Sequence, residues 1–387
     1  MRDATLQRRP LALGLSEDER QLQDSIERFI DHEYDLTRRR AALAEGGDDP
    51  ALWRQIAELG WLGACLPETD GGYAQSPKEA LILLEQFGRG LVLAPVLDAM
   101  LVPSAIIRAA GQGEREAALL MAMMGGERRL ALAWAEPGRR YDLRPVTTQA
   151  RHDGYQWRLQ GTKATVLGAP QADTLLVSAA ADQGPVLMRV PADAPGLAMT
   201  SCPTIGGQPA ADLFFADVRV ADDALVASEE SAAAALQAGW DWGAAGACAE
   251  ALGAMRAALT LTLEYVDTRE QFSQRLSRFQ VIQHRLAAMA LELEYSQALL
   301  PLLAAHLDRP GERSSTVIAG VRSRISAAAR RVTADAVQLH GGIGVTDEAA
   351  VSHYFRRVVA LDQAWGGHRF HLQRYRQQRH GHDLIHA

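Results

Sequence analysis

The spacing of apolar residues changes twice along this chain of 387 residues, and this double change limits the folds open to it. Leu22, Ile26 and Phe29 recur at helical spacing near the start, and helical spacing returns beyond Ser231. Between these stretches apolar residues alternate with polar ones, as they do in half-buried strands. We therefore expect a helical domain over residues 1–125, a β-sheet domain over residues 126–228 and a helical bundle over residues 229–387.

The middle stretch has the pattern of a compact antiparallel sheet. Tyr155, Trp157 and Leu159 alternate with polar residues, which predicts a strand with one buried face. The pair Asp153-Gly154 just before them is typical of a tight hairpin turn.

Two apolar stripes in the last third predict two long helices that lie antiparallel. Leu252 and Leu259 belong to one stripe, and the other runs from Ile282 to Leu300, where we expect Pro301 to end it. Long helices with such stripes commonly pack against a second subunit. We expect a homo- or hetero-oligomer, either a dimer or a tetramer.

Charge and cysteine content exclude several functional classes. The formal net charge is -7, which disfavours nucleic acid as a partner because the phosphate backbone attracts basic surfaces. Cys65, Cys202 and Cys248 lie far apart without CxxC spacing, so we expect neither a disulfide framework nor a metal site. Apolar stretches long enough for a signal peptide or for membrane insertion are lacking. We expect a cytoplasmic protein.

A glycine-rich segment, Gln338-Leu339-His340-Gly341-Gly342-Ile343-Gly344, follows an amphipathic helix. Glycines at such a place let backbone N–H groups approach a phosphate, but glycine spacing alone favours a plain helix C-cap. Together with Tyr354-Phe355-Arg356-Arg357 further on, this segment resembles the C-terminal signature of acyl-CoA dehydrogenases.

A second segment carries the same resemblance. Arg269 and Phe272 lie three residues apart, and we expect them on one helix face, where a cation and a ring can meet a pyrophosphate and an adenine. Taken alone, a solvated arginine beside a core phenylalanine is the better explanation. In the family, however, the matching Arg-x-x-Phe-Gly segment reaches the FAD of a neighbouring subunit, and here only the glycine differs, as Ser273.

The resemblance implies which residues hold the dinucleotide end of FAD. Arg269, Phe272 and Gln280 would contact it from one chain. The partner chain would hold it with residues equivalent to Gln338, Gly341 and Gly342.

Further family landmarks follow in collinear order along nearly the whole chain. Ala135-Glu136-Pro137-Gly138 resembles the Thr-Glu-Pro-Gly segment beside the flavin ring, and Gly161-Thr162-Lys163 matches the Gly-x-Lys strand entry. The resemblance implies an α+β protein of the acyl-CoA dehydrogenase fold, with an N-terminal helical domain, a central antiparallel β domain and a C-terminal four-helix bundle. It also implies an FAD-dependent oxidoreductase of lipid metabolism, with an acyl-CoA substrate and an electron-transfer acceptor.

The catalytic base is where this sequence departs most from the family. Acyl-CoA dehydrogenases remove the substrate α-proton with a glutamate while the flavin takes a hydride from the β-carbon. In most members the glutamate lies in a Tyr-Glu-Gly-Thr segment, whose glutamate falls here on Trp365, and an indole N–H only donates. A subset places the glutamate in the helix before the Arg-x-x-Phe segment, where this chain has Gly243. Both positions lack a carboxylate.

The expected flavin and substrate contacts are altered as well. Ala135 and Leu167 stand where the family has threonines beside the flavin, and Tyr141 replaces the serine of a Gly-Ser-Asp segment near the substrate. Ala244 stands where an arginine is expected, which weakens the case for ordinary CoA contacts. Asp241 matches the family's acidic residue at the substrate entrance, although an exposed aspartate at a helix start would look the same.

Two acids are conceivable replacements for the missing base. Glu250 and Asp362 lie on helices near the two empty positions, but carboxylates on helices are usually solvated. His368 and His371 share a helix face that suits a metal, yet the simpler interpretation is a pair of surface histidines in a basic helix.

Three functions remain open at this point. The first is a dehydrogenase that forms an α,β-unsaturated acyl-CoA, with a bulky acyl group suiting the altered pocket. The second is a non-catalytic subunit that completes the FAD site of a partner chain. The third is a flavin-dependent monooxygenase on the same fold, which needs no α-proton base.

Overall fold

The computed structural model describes residues 14–111 and 113–383, which divide into two compact units. The helical unit contains the described residues up to Arg40, Ser76–Val92 and those from Ala244 onward. The sheet unit contains Ala41–Gln75 and Leu93–Gly243 without the undescribed position. The division into domains at residues 1–125, 126–228 and 229–387 stays a prediction.

Twelve α-helices and ten strands lie within the described ranges. The helices are α1 (Glu17–Glu33), α2 (Leu36–Ala44), α3 (Pro50–Glu58), α4 (Lys78–Gly90), α5 (Val102–Ala110), α6 (Glu114–Met124), α7 (Glu229–Thr268), α8 (Gln280–Gln297), α9 (Leu300–Leu307), α10 (Glu312–His340), α11 (Ala350–Trp365) and α12 (His368–Asp383). The strands are β1 (Leu130–Ala133), β2 (Gln149–His152), β3 (Trp157–Leu167), β4 (Thr174–Ala181), β5 (Gly184–Pro191), β6 (Leu197–Cys202), β7 (Ala210–Val220), β8 (Leu225–Ser228), β9 (Glu270–Gln271) and β10 (Gln274–Arg275).

The sheet unit is built on one eight-stranded sheet in the order β6-β7-β3-β2-β4-β5-β8, with β1 added beside β4. The predicted hairpin is confirmed, since β2 and β3 pair antiparallel across the turn that contains Asp153 and Gly154. The expectation of a purely antiparallel sheet is wrong for two pairs, because β1 and β2 both run parallel to β4. Every residue of β1 is buried, as is typical of strands covered on both faces.

In the helical unit, α8, α9, α11 and α12 all contact α10. The buried positions of α10 are mostly alanine, serine and β-branched residues such as Ile318 and Ile325, which let neighbouring helices approach closely. The prediction that Pro301 ends a helix is wrong. Pro301 lies in the first turn of α9, where the missing N–H costs nothing, and α8 already ends at Gln297.

No helix in residues 14–111 or 113–383 combines the length and apolar character needed to cross a membrane.

Candidate cofactor site and the position of the missing base

The glycine segment forms an open loop at the end of α10. The helix ends at His340, and a short 3₁₀ turn over Gly341–Val345 follows. Gly341 has a φ of 68°, and no atom lies within 4 Å of the place where a Cβ would stand on Gly341 or Gly342. Gln338, Gly341 and Gly342 are all exposed. The loop therefore ends the helix as a C-cap, and it also leaves the backbone of Gly341 and Gly342 accessible to a ligand.

Two aromatic residues beside this loop form a contact that the sequence did not predict. The rings of Tyr265 and His340 stack at 4.3 Å, and the Tyr265 hydroxyl donates to the His340 carbonyl at 3.2 Å. Burial lowers the pKa of His340, so its imidazole is neutral near pH 7. Both rings line a pocket of about 400 Å³ that also includes Leu261, Ile343 and Val351. The stack connects α7 to the loop, and nothing in the sequence around Tyr265 indicates His340 as its partner.

Arg269 and Phe272 do not share a helix face, so that prediction is wrong. The helix α7 ends at Thr268, and β9 and β10 form a hairpin whose turn is Phe272-Ser273, with φ angles of 55° and 61°. Positive φ at both turn residues is the geometry of tight hairpins, and a helix cannot continue through it. Ser273 thus occupies a left-handed conformation that suits the glycine of the family pattern.

The hairpin presents its side chains to solvent. The ring of Phe272 is 85% exposed and lies edge to face with the ring of Phe279, with 6.1 Å between the ring centroids. The guanidinium of Arg269 makes no ion pair or hydrogen bond within residues 14–111 and 113–383, and Gln280 is exposed at the start of α8. The exposed ring of Phe272 could stack on the adenine of FAD, and the guanidinium of Arg269 could bind its pyrophosphate.

Trp365, which we predict to stand at the family position of the base, lies at the end of α11. Trp365 is the last residue of α11 and is buried. His371 Nε2 lies 2.7 Å from the Trp365 carbonyl, and Arg322 Nε donates to the Gly366 carbonyl at 3.1 Å. Burial lowers the pKa of His371 to about 3, so the imidazole is neutral and can donate its Nε2 proton. The carbonyls that end α11 are therefore satisfied by buried donors.

The prediction of two surface histidines is wrong for His371. Its ring is buried with 1% exposure, whereas His368 is exposed and its Nδ1 lies 2.9 Å from the Ser323 hydroxyl. In the described ranges, no group of three or more His, Cys, Asp and Glu side chains suits a metal ion.

The carboxylate of Glu250 is engaged in a buried ion pair. Glu250 lies on α7, and its Oε2 accepts a hydrogen bond from Arg357 Nε at 2.9 Å and a second one from Arg357 Nη2. Both side chains are 7% exposed. A carboxylate held in this way on a buried guanidinium does not suit proton abstraction.

Asp362 has a different environment. Its Oδ1 accepts from the Ser326 hydroxyl at 2.7 Å and from Arg322 Nη2 at 3.3 Å. Burial raises the pKa of Asp362, and the charge of Arg322 opposes that rise. A raised pKa is a property of general bases, but Asp362 also serves the structure through these two contacts.

In the sheet unit, an aromatic cluster surrounds the segment predicted to contact flavin and substrate. Trp134 and Trp240 meet edge to face at 5.2 Å, and Tyr141 packs on Trp240 at 5.9 Å. The carbonyl of Ala135 accepts from the Ala164 N–H at 2.8 Å, and Leu167 ends β3 opposite Ala210. Trp134 and Trp240 were missed by the sequence analysis because they lie far apart along the chain.

Asp241 differs from the exposed helix-start aspartate considered above. It lies inside α7, is 7% exposed, and its Oδ1 accepts from Gln237 Nε2 at 2.7 Å. Asp241 and Tyr141 both belong to the sheet unit, as do Ala135 and Leu167.

Comparisons with known proteins identify one family over most of the chain. The family models for the acyl-CoA dehydrogenase N-terminal, middle and C-terminal domains match residues 16–127, 131–218 and 233–371. Acyl-CoA dehydrogenase FadE12 of Mycobacterium tuberculosis is 30% identical over 335 residues, which are 83% of this chain and 84% of FadE12.

Two solved structures whose titles each name a pair of proteins are similar to this chain. A variant of the Tcur3481-Tcur3483 steroid ACAD has a TM-score of 0.86 at 30% identity, covering 97% of this chain and 100% of that one. The ChsE4-ChsE5 complex from Mycobacterium tuberculosis has a TM-score of 0.83 at 25% identity, covering 97% and 99%.

Proposed function

The chain belongs to the acyl-CoA dehydrogenase family of FAD-dependent oxidoreductases, and on this premise we propose that it is one subunit of a heteromeric acyl-CoA dehydrogenase. A partner chain of the same family supplies the carboxylate that removes the substrate α-proton. The present chain completes the FAD site of the assembly, whose product is an α,β-unsaturated acyl-CoA.

The observation that carries this proposal is the engagement of both candidate acids. Glu250 is bound by Arg357, and Asp362 by Arg322 and Ser326. The family position of the base is the buried indole of Trp365. A base must accept a proton from the substrate, so a carboxylate that is paired with a buried arginine is a poor one. The carboxylate is therefore expected from another chain.

FAD is the cofactor of the family, and when bound it accepts the hydride from the substrate β-carbon. In this chain the exposed Arg269 and Phe272 bind the pyrophosphate and adenine of an FAD shared with the partner. The open backbone at Gly341 and Gly342 binds the dinucleotide end of a second FAD. The loss of threonine hydroxyls at Ala135 and Leu167 weakens contacts to a flavin ring in this chain.

The substrate that we propose is a bulky acyl-CoA. The similar Tcur3481-Tcur3483 structure is named a steroid ACAD, and the cluster of Trp134, Tyr141 and Trp240 offers apolar area for a large ring system. An electron-transfer acceptor would reoxidise the flavin. We propose a cytoplasmic location because Cys65, Cys202 and Cys248 are all free thiols, as is usual in a reducing compartment.

Co-expression with a second family member tests the proposal. The chain is purified alone and together with an acyl-CoA dehydrogenase chain that carries the glutamate, and the visible spectrum and FAD content are recorded. We expect little FAD in the chain alone, full FAD in the complex, and anaerobic bleaching of the complex by acyl-CoA. Phe272→Ala in this chain should lower the FAD content of the complex, whereas Tyr155→Ala, which also removes an exposed ring, should not.

The same experiment identifies the two other functions. A yellow chain that is bleached by acyl-CoA on its own would be a homomeric dehydrogenase, and the raised pKa of Asp362 makes that carboxylate the first to mutate. Bleaching only by reduced nicotinamide or another flavin, followed by oxygen consumption, would indicate the monooxygenase. Either result would refute the partner-supplied base.

A further inference from the structure

The helix α8 is apolar on two separate faces. Met289 and Leu293 are buried on one face, and α8 contacts α10. The other face carries large apolar side chains in the open, since Val281, Leu291 and Tyr295 are 65%, 55% and 61% exposed. A helix that is apolar beyond a single stripe is typically buried on more than one side. We therefore expect a second neighbour for α8 besides α10.

The exposed residues of α8 have the spacing of a coiled-coil seam. Their positions follow one another at alternating intervals of three and four residues, which keeps them on one line along the helix. The residues of this seam stripe are all exposed: Val281, His284, Ala288, Leu291 and Tyr295, continued by Ala298 at the C-cap of α8. Such an interval directs a helix face towards another helix that runs alongside it.

The area of the seam stripe suits a protein interface. The exposed parts of Val281, Leu291 and Tyr295 amount to about 300 Å² of mostly apolar surface, which is the size of the largest apolar patch on many monomers. Leu302 on α9 is 41% exposed and lies at the next position of the same spacing. With His284 and the exposed alanines, one copy offers a large part of the roughly 800 Å² that a standard interface buries on each partner.

Two copies of the seam stripe fit each other when their helices lie antiparallel. With the two-fold axis at the midpoint of the stripe, Leu291 of one copy lies opposite Ala288 of the other, and His284 lies opposite Tyr295. A large side chain then faces a small one, and an imidazole faces a ring on which it can stack. The stripe is therefore complementary in shape to itself.

Charged residues beside the seam stripe favour the same arrangement. Arg285 and Glu292 lie on the side of the stripe next to α10. Arg285 Nη1 reaches Asp335 Oδ1 at 3.4 Å and its side chain is 45% exposed, while Glu292 Oε2 accepts from Arg324 at 2.5 Å. In antiparallel packing this side meets the same side of the other copy, so each Arg285 lies beside the Glu292 of its neighbour and opposite charges alternate across the seam. Parallel packing would place Ala287 opposite Glu292, without this attraction.

We propose that the seam stripe of α8 binds a second copy of this same chain, with the two helices antiparallel. A face that is complementary to itself forms a two-fold contact, which closes after two copies. In the heteromer of the proposed function, the complex then contains two copies of this chain and two of its family partner. Only that composition rests on the proposed function, since the pairing of two identical chains needs neither FAD nor a base.

The mass of the assembly tests the pairing. Sedimentation velocity is measured for the full chain alone and for the co-purified complex, and the FAD content is recorded beside it. We expect a dimer of the chain alone and a complex of two copies of each chain. Leu291→Glu places a charge in the seam and should weaken the dimer on the order of 10²-fold, leaving monomers and a complex of one copy each with unchanged FAD content. Tyr155→Glu adds the same charge at a residue that is 90% exposed outside the seam, and both masses should stay unchanged.

Disulfide crosslinking tests the direction of the two helices. The double variant His284→Cys with Tyr295→Cys brings the new thiols together between antiparallel copies, so oxidation should join two chains. Neither single variant should crosslink, because the same position of the other copy lies about 16 Å away along the seam. Arg285→Glu should weaken the dimer about tenfold, whereas Arg285→Lys should keep it.

Several results would overturn the pairing of two identical chains. They are a monomeric chain, a complex with one copy of each chain, an unchanged mass in Leu291→Glu, and a crosslink in either single cysteine variant. A crosslink from the double variant to the family partner would assign the seam stripe to that partner and would also overturn the proposal. The proposed function fails separately, if the dimer forms and the FAD content does not rise in the complex.

Discussion

Removal of Arg357 tests whether Glu250 is a structural carboxylate. The pair is deeply buried, with both side chains 7% exposed, so Arg357→Leu leaves a carboxylate without its partner in a low-dielectric interior. Breaking a buried ion pair by removing one member costs about 3–5 kcal/mol. At roughly 2–4 °C per kcal/mol for a unit of this size, the thermal midpoint should fall by roughly 6–20 °C.

The double variant Glu250→Gln with Arg357→Leu separates the charge from the packing. It removes both charges, so we expect most of the lost stability to return, because a well-packed neutral pair is often as stable as an ion pair. Thermal unfolding followed by circular dichroism measures both variants, and Arg151→Leu on the exposed strand β2 is the control for loss of a positive charge. A loss below about 1 kcal/mol in Arg357→Leu would show that Glu250 reaches solvent or another donor. It would then be available as a base, and the argument for a partner-supplied carboxylate would fail.

Three further predictions concern the base, the cofactor and pH. Trp365→Glu places a carboxylate at the predicted family position and, in an FAD-loaded complex whose partner glutamate is replaced by glutamine, should raise acyl-CoA oxidation on the order of 10²-fold over Trp365→Gln; equal rates would refute this placement. Phe272→Ala should weaken FAD binding about tenfold without changing the thermal midpoint, since the ring is 85% exposed, and a fall in the midpoint would show that the ring packs in the fold. The folded pKa of His371, about 3, lies below its ordinary 6.5, so stability is present above pH 6.5 and is lost as the pH falls towards 3. The midpoint of His371→Gln should depend less on pH in that window, and parallel curves would contradict the assignment.

The family and the fold class could be predicted from the resemblance of several collinear motifs, and the end of the helix before the glycine loop from local sequence. The helix that ends at His340 and the open Gly341-Gly342 backbone follow directly from the segment that contains them. The hairpin at Phe272 could not be predicted from periodicity. Apolar spacing continues through α7, and the glycine that would have marked the turn is Ser273. Pro301 was misjudged because proline suits the first turn of a helix as well as the end of one.

Contacts between distant residues were outside the reach of sequence patterns. Glu250 and Arg357 are 107 residues apart, and neither position indicates that the other side chain is its partner. The stack of Tyr265 on His340 and the contact of Trp134 with Trp240 also join residues that are far apart in the sequence. The sequence identified Glu250 and Asp362 as candidate acids, but only the structure distinguishes a carboxylate that is paired from one that is available.

Three carboxylates of the helical unit are paired with arginines, and this pairing bears on where a base can lie. Glu85 accepts from Arg256 Nη2 at 2.9 Å, just as Glu250 and Asp362 accept from arginines. Each arginine offsets the desolvation of a carboxylate, and its charge favours the ionised form, which opposes the transfer of a substrate proton to that carboxylate. An arginine partner favours the ionised carboxylate, whereas a general base must become protonated during the reaction. A carboxylate beside the thioester must therefore come without an arginine partner, and we predict that the indole of Trp365 stands at its position in this chain.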